Sequence, residues 1–266
     1  MIHRRLPADG WRMLALITVF VNVIFNYASL TTNVIALPSL EDVSHRFSSL
    51  LTPHDYAFSI WGVIYFAFIV YGIYQAVPAR SEDPLYRKLA RPFTFVNLLA
   101  IAWIVSFRMQ LMWVSVGIIV TMLILSIYML VLSRDAVLRD EYSNWVPVPF
   151  SLLAGWLLIA TIANLSTVCV YMGWQGPVMT QVIIAMSVIV LTGLVGIYVC
   201  ARCKDFIFPF VISWACVAIA VSRSYDFPYL SVVALFTAAA PLVWIVTTLL
   251  KRITYRRHIL ANKFSF

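Results

Sequence analysis

The sequence predicts an all-α protein, a polytopic bundle of about eight transmembrane helices. Hydrophobic residues make up 62% of the chain and charged residues 11%, and the mean hydropathy is +0.91, whereas soluble domains are about half apolar and a quarter charged. The apolar residues also form eight long stretches. A helix needs about 20 apolar residues to cross a hydrocarbon layer of about 30 Å. Strands are excluded, because the stretches are too long and show no period-two alternation.

The eight predicted spans, numbered one to eight in chain order, are joined by more polar segments. Their approximate bounds are 13–37, 57–77, 92–112, 111–132, 147–172, 178–200, 206–222 and 228–250. Spans three and four are separated only by the turn around 108–111. Span one follows two arginines, as a signal peptide would, but it is longer than the apolar core of about 7 to 15 residues that signal peptides have. We therefore expect an uncleaved first span.

The basic residues indicate the orientation of the chain, because Lys and Arg collect in cytoplasmic loops. With the N-terminus in the cytoplasm, sixteen of the nineteen Lys and Arg residues lie on the cytoplasmic side, and only Arg46, Arg108 and Arg223 lie outside. We therefore predict a multi-pass membrane protein with both termini in the cytoplasm. The net charge of +8 is then a topology signal and needs no nucleic-acid partner.

The predicted helix interiors lack ionisable side chains. All eleven Asp and Glu residues and all four His residues fall in loops or at helix ends. Ion-coupled transporters and intramembrane metalloenzymes use such groups at mid-depth, so the sequence disfavours both classes. It also offers no Ser/His/Asp or paired-carboxylate arrangement, which argues against an enzyme. Cys200 and Cys203 form a Cys-x-x-Cys motif, which we interpret as two small helix-end residues rather than a redox pair or half a metal site.

Aromatic and amide side chains are the distinctive content of the interior. In span two, four aromatic residues recur at spacings of three and four and so share one helical face; these are Phe58, Trp61, Tyr65 and Phe68. In span five, Trp156, Ala160 and Asn164 share a face, where Ala160 is small enough to admit a ring against the backbone. Amides also enter spans one and three at Asn26 and Asn97.

Two motifs among these residues resemble those of the TspO/MBR family, the tryptophan-rich sensory proteins of bacteria and the mitochondrial translocator protein. The first motif is a proline followed eight residues later by a tryptophan, here Pro53 and Trp61, and then Gly62, Ile64 and Tyr65. The second motif, Trp-x3-Ala-Thr-x2-Asn, is Trp156, Ala160, Thr161 and Asn164. The third-helix signature of the family is only loosely echoed by Asn97 and Trp103. The resemblance covers about residues 11–172.

The resemblance implies a five-helix bundle with a hydrophobic pocket, closed by the loop between helices one and two, that binds flat apolar ligands such as porphyrins and sterols. It divides the chain into a TspO/MBR-like membrane bundle over residues 1–172 and a three-helix transmembrane extension over residues 173–266, which carries a basic cytoplasmic tail. The extension has no counterpart in the five-helix family.

A depth estimate of about 1.5 Å per residue from the predicted helix ends places aromatic and amide residues of four spans in the outer half of the membrane. We therefore predict a ligand site under the loop 38–56. Its residues are Asn26, Trp61, Tyr65, Trp103, Arg108, Trp156, Ala160, Thr161 and Asn164. Arg108 would bind the carboxylates of a porphyrin, unless it only extends to the lipid headgroups.

The favoured function is a sensory or carrier-like membrane protein that binds a planar hydrophobic molecule such as a porphyrin or a sterol. The alternative is a small-molecule transporter or permease subunit, in which the three extra helices complete a translocation path. An enzyme of tetrapyrrole breakdown is suggested by the resemblance alone. The predicted partners are the lipid bilayer and the hydrophobic ligand, with homodimer formation left open. A tetrapyrrole is expected as a ligand, and no cofactor or metal is predicted.

Overall fold

The computed structural model describes residues 8–31, 37–174 and 176–263, which form helices, turns and loops with no strand among them. The α-helices of this described part are α1 (Ala8–Thr31), α2 (Leu40–Arg46), α3 (Ile60–Ala76), α4 (Pro84–Arg108), α5 (Met112–Leu138), α6 (Val148–Tyr171), α7 (Val178–Cys203), α8 (Ile207–Arg223) and α9 (Pro228–Lys263). Single turns of 3-10 helix lie at Asp55–Ser59 and Pro78–Arg80.

Each predicted span corresponds to one helix, and the short helix α2 lies in the connection between spans one and two. Within the described ranges, seven helices are long and apolar enough to cross a membrane. The eighth, α8, has 17 residues and measures about 26 Å at 1.5 Å per residue, close to the lower limit for a span. The prediction of a polytopic helical membrane bundle is confirmed.

The observed helix ends differ from the predicted ones where polar residues continue a helix beyond its apolar stretch. Helix α4 begins at Pro84, well before residue 92, because Asp83 caps it by accepting hydrogen bonds from the amides of Leu85 and Tyr86. A search for apolar stretches misses such a polar first turn. The predicted end of span one, residues 32–36, lies outside the described residues.

The first five spans pack as a ring. In the order α1, α4, α5, α6 and α3, each helix contacts the next, and α3 contacts α1 again. Inside the ring, Tyr71 of α3 makes edge-to-face contacts with Phe93 and Phe150, at centroid distances of 5.0 and 4.9 Å. This aromatic layer fills the ring at the level of the second half of α3.

The last three spans join the ring through α8. Helix α8 packs against α6 on one side and against α7 and α9 on the other. Gly155 of α6 permits the close contact between α6 and α8, because a Cβ atom at this position would lie 3.0 Å from the carbonyl oxygen of Phe208 in α8. On the far side, a Cβ atom on Gly193 of α7 would lie 2.4 Å from Thr237 Cγ2 of α9. These glycines bring the helix backbones together.

A buried polar cluster joins α5, α6 and α8 at the end of the bundle away from α2. Asp205 accepts hydrogen bonds from the amides of Ile207 and Phe208, and so caps α8. Its other carboxylate oxygen accepts a hydrogen bond from Ser151 Oγ and lies 3.6 Å from Arg134 Nε. Because all these groups are paired, the buried charges are compatible with a helix end in a membrane.

Candidate functional site

A small cavity lies where α3, α4 and α6 meet under the connection between α1 and α3. We call residues 37–59 of this connection the lid, and the end of the bundle that carries it the lid side. Helices α3, α4 and α6 contribute Trp61, Trp103 and Trp156 to the cavity wall, one indole each. The lid closes the cavity with Leu40, Ser44, Thr52 and Pro53.

Aromatic rings in and around the cavity form stacked pairs joined by edge-to-face contacts. Trp61 stacks on Tyr65 with 5.4 Å between centroids, and Trp103 stacks on Phe107 at the same distance. Trp156 meets Trp61 edge to face, with an interplanar angle of 82° and a centroid distance of 6.3 Å. These are favourable geometries for aromatic rings, and they present both ring faces and ring edges near the cavity.

Few polar groups face this aromatic surface. Asn164 Oδ1 accepts a hydrogen bond of 3.0 Å from Trp103 Nε1, and the Asn164 Nδ2 atom lies 3.1 Å from Ser115 Oγ. The indole Nε1 of the buried Trp156 and the hydroxyl of Thr161 have no hydrogen-bond partner among the described residues. An unpaired buried polar group costs about 1 to 3 kcal/mol. Trp156, which lines the cavity, therefore carries a buried indole donor that has no partner among the described residues.

The cavity is too small for a drug-sized molecule in this conformation. Its free volume is about 40 Å³, whereas ligand pockets usually hold roughly 300–1,000 Å³. The space is enough for one or two water molecules. A larger ligand can enter only if the lid moves or the aromatic side chains change rotamer.

The beginning of the lid is held by Arg108. This side chain is buried, and its guanidinium group donates hydrogen bonds to the carbonyl oxygens of Leu37 and Pro38, at 2.8 and 2.7 Å. It also donates to Ser29 Oγ at the end of α1, at 2.6 Å. Arg108 is not among the residues that line the cavity, so a contact with ligand carboxylates requires it to release the lid.

The middle of the lid is held by Arg223 at the end of α8. Its Nη2 atom donates hydrogen bonds to the carbonyl oxygen of Ser49, at 2.9 Å, and to Ser48 Oγ, at 3.1 Å. The extension therefore reaches the lid over the cavity, a contact that the sequence pattern does not indicate.

The end of the lid is also attached to α8. The His54 amide donates to the carbonyl oxygen of Ala218 at 3.1 Å, and Trp214 Nε1 donates to the carbonyl oxygen of Ala57 at 3.3 Å. Lid movement must therefore break or carry along these bonds, and α8 is placed to control it.

Helix α2 gives the lid a local structure of its own. Ser39 and Asp42 form a capping box, in which each side chain accepts a hydrogen bond from the other residue's amide. Hydrogen bonds from the Ser39 side chain and backbone lower the pKa of the Asp42 carboxyl. His45 and Asp55 form an exposed pair 3.1 Å apart. The lid can therefore move as a partly preformed unit.

The structure brings together five of the nine predicted site residues in the cavity wall, and these are Trp61, Trp103, Trp156, Ala160 and Asn164. Tyr65 supports Trp61 from behind. Thr161 and Arg108 lie outside the lining, as does Asn26, whose amide donates to the backbone and side chain of Asn22. Asn22 in turn donates to Asn97 at 3.0 Å, so this amide series joins α1 to α4 away from the cavity.

Several lining residues were missed by the sequence reasoning. Phe107 follows Trp103 by four residues, and Ala163 and Thr167 continue the face of Trp156 along α6. Extending both helical faces by one more turn would have identified them. No periodicity could have identified the lid residues, because the path of a loop is set by its tertiary contacts. Among the described residues, no group of His, Cys, Asp and Glu could hold a metal ion.

Comparison with models of known protein families gives a match. A family model described as TSPO-like protein matches residues 12–247. The match continues through α7 and α8 into α9, beyond the part of the chain that carries the two short motifs. No curated protein and no solved structure matches the chain.

Proposed function

The chain belongs to the TSPO-like protein family, and we propose that this integral membrane protein binds a planar hydrophobic molecule, such as a porphyrin or a sterol, in the cavity under the lid. The observation that carries the proposal is the meeting of three indole rings from three helices, Trp61, Trp103 and Trp156, beneath one loop. Aromatic walls with few polar groups suit a flat apolar ligand.

The unused indole donor of Trp156, a residue that lines the cavity, adds a chemical requirement for the ligand. Trp156 Nε1 has no acceptor among the described residues, and a ligand carbonyl, carboxylate or ring nitrogen would supply one. In an environment of low dielectric, such a hydrogen bond contributes more than it does in water. We therefore favour a planar ligand that carries at least one acceptor at its edge.

Ligand entry would open the lid. The free volume of about 40 Å³ has to grow several-fold. The lid is the part of the cavity wall that is not a transmembrane helix. The lid bonds to Arg108 and Arg223 would then break while the ligand enters and form again over the occupied cavity. A change of this kind on binding is what a sensory or carrier-like protein needs.

The experiment that tests the proposal fills the cavity. Ala160 lines it, so Ala160→Phe should occupy the space and weaken protoporphyrin IX by at least about tenfold, or 1.4 kcal/mol. Quenching of tryptophan fluorescence in the detergent-purified protein measures the affinity. Ala102→Phe is the matched control, because Ala102 is exposed on α4 next to Trp103, and it should leave the affinity unchanged.

Survival of binding in both Ala160→Phe and Trp156→Ala would show that the ligand lies elsewhere. A normal helical signal and a single gel-filtration peak would separate this result from misfolding. Equal losses in Ala160→Phe and Ala102→Phe would also contradict the cavity as the site.

A transporter or permease subunit is the second candidate function. It is favoured by one observation, the attachment of the lid to α8. Through α8, the last three helices would take part in opening and closing the cavity. Proteoliposomes distinguish the two functions. Saturable binding without flux supports a sensory protein, and ligand-driven flux supports a transporter.

A further inference from the structure

A second, larger cavity lies on the other face of α6. It is a crevice between α6 and α7 on the lid side, with a volume of about 480 Å³, within the range of ligand sites. The crevice exists because α6 and α7 make few direct contacts, while α8 packs between them. Residues Ser49–Leu51 of the lid form its roof.

The walls of the crevice are aliphatic and its polar groups gather near the roof. Helix α6 contributes Ile162, Leu165 and Val170, and α7 contributes Ile184, Ala185 and Val188. Ser166 also lines the crevice, but its hydroxyl donates to the carbonyl oxygen of Ile162 within α6. At the lid end lie Trp174 and Gln181, whose amide donates to the carbonyl oxygen of Gly176 at 2.8 Å.

The crevice is short enough to lie within one leaflet of a bilayer. From Gln181 to Val188 the crevice follows α7 for about 10 Å at 1.5 Å per residue, which fits within half of a hydrocarbon core of about 30 Å. Farther along α7 from Gln181, Ile189 and Thr192 are buried. At the side of the crevice, Leu165 and Ile184 are 42% and 46% exposed, so the crevice opens towards the bilayer.

We propose that this crevice binds one acyl chain of a phospholipid from the leaflet on the lid side. A flexible chain fits an irregular aliphatic crevice, whereas a rigid planar ligand would find only one aromatic ring, Trp174, at its mouth. The ester groups of the lipid would lie beside Trp174 and Gln181, where an indole and an amide are suited to the interface. The lipid is thus held by close packing and by polar contacts at one end, since apolar contact alone does not distinguish protein from bulk lipid.

This site is distinct from the aromatic cavity, because the two are lined by different residues of α6. The lid is common to both, since Thr52 and Pro53 close the cavity while Ser49, Leu50 and Leu51 cover the crevice. The bound chain would therefore contact the lid next to the residues that close the cavity.

The experiment measures phospholipid retention by the full-length protein. Delipidated protein is incubated with dibrominated phosphatidylcholine, and native mass spectrometry counts the bound lipids at increasing lipid concentration. We expect one saturable lipid on the wild type. Ile184→Trp should raise its dissociation constant by at least about tenfold, because the indole fills the crevice. Ile183→Trp is the matched control, because Ile183 is exposed on the same helix outside the crevice.

Leu165→Trp fills the crevice from the α6 wall. It tests whether the loss of lipid in Ile184→Trp comes from filling the crevice and not from another effect of that substitution. It should show the same loss, with helicity and gel-filtration behaviour unchanged. The proposal is overturned if the wild type retains no lipid, if both filling variants retain it, or if Ile183→Trp loses it to the same extent. Quenching of tryptophan fluorescence by the bromine atoms should be smaller in Trp174→Phe than in the wild type.

Discussion

At the scale of single residues, Arg108 illustrates how burial changes the interpretation of a charged side chain. The sequence places it at the outer end of a span, where it could bind a ligand carboxylate or extend to the headgroups. In the structure it is buried, and its guanidinium group is stabilised by hydrogen bonds to two lid carbonyl oxygens and to a serine hydroxyl. A guanidinium group that donates to several acceptors at once holds the lid firmly in its closed position.

The two roles of Arg108 are separable by ligand chemistry. We expect Arg108→Ala to weaken the binding of protoporphyrin IX and of its dimethyl ester equally, by about tenfold. With either ligand, the closed lid loses its hydrogen bonds to Arg108. Parallel fluorescence titrations measure both affinities. A loss confined to the dicarboxylic porphyrin would instead support the contact with carboxylates that the sequence suggested.

At the scale of structural elements, α8 connects the bundle to the lid. It packs tightly on α6 at Gly155 and holds three points of the lid through Trp214, Ala218 and Arg223. Polar side chains that donate to backbone carbonyls fix a loop without requiring a defined loop sequence. This gives the last three helices a structural part in closing the cavity.

Removal of the Arg223 bonds should therefore loosen the lid. For Arg223→Ala we expect ligand dissociation to become about tenfold faster, since two hydrogen bonds from a charged group are lost in the closed state. Stopped-flow recovery of tryptophan fluorescence measures the rate. Arg46→Ala is the control, because Arg46 is exposed on α2 and its described contact is with the neighbouring Phe47 ring. Unchanged rates in Arg223→Ala would show that α8 does not restrain the lid.

At the scale of the whole molecule, the charge distribution predicts orientation. The lid side carries Arg46, Arg108 and Arg223, and sixteen other basic residues belong to the opposite side or the termini. By the positive-inside rule we expect the lid and both cavities to open towards the exterior leaflet. Ligand and lipid would then reach the protein from outside the cytoplasm.

Reporter fusions test this orientation. A reporter fused after Phe266, a residue outside the described part of the chain, should read as cytoplasmic. A fusion truncated at Tyr225, which is 97% exposed in the turn between α8 and α9, should read as external. An external reading at Phe266 with a cytoplasmic reading at Tyr225 would show that the topology is inverted. Readings on the same side at both positions would show that α9 does not cross the membrane.

The sequence alone determined the class of fold, the order and approximate place of the long helices, and the aromatic faces of α3 and α6, because apolar length and helical period are local properties of the chain. Only the tertiary structure decided which faces meet. Asn26 does not reach the cavity, and Arg108 holds the lid, since each outcome depends on neighbours far away in the sequence. The crevice beside α6 exists for the same reason. It is a gap left by the packing of three helices around α8, and no single helix carries a signal for it.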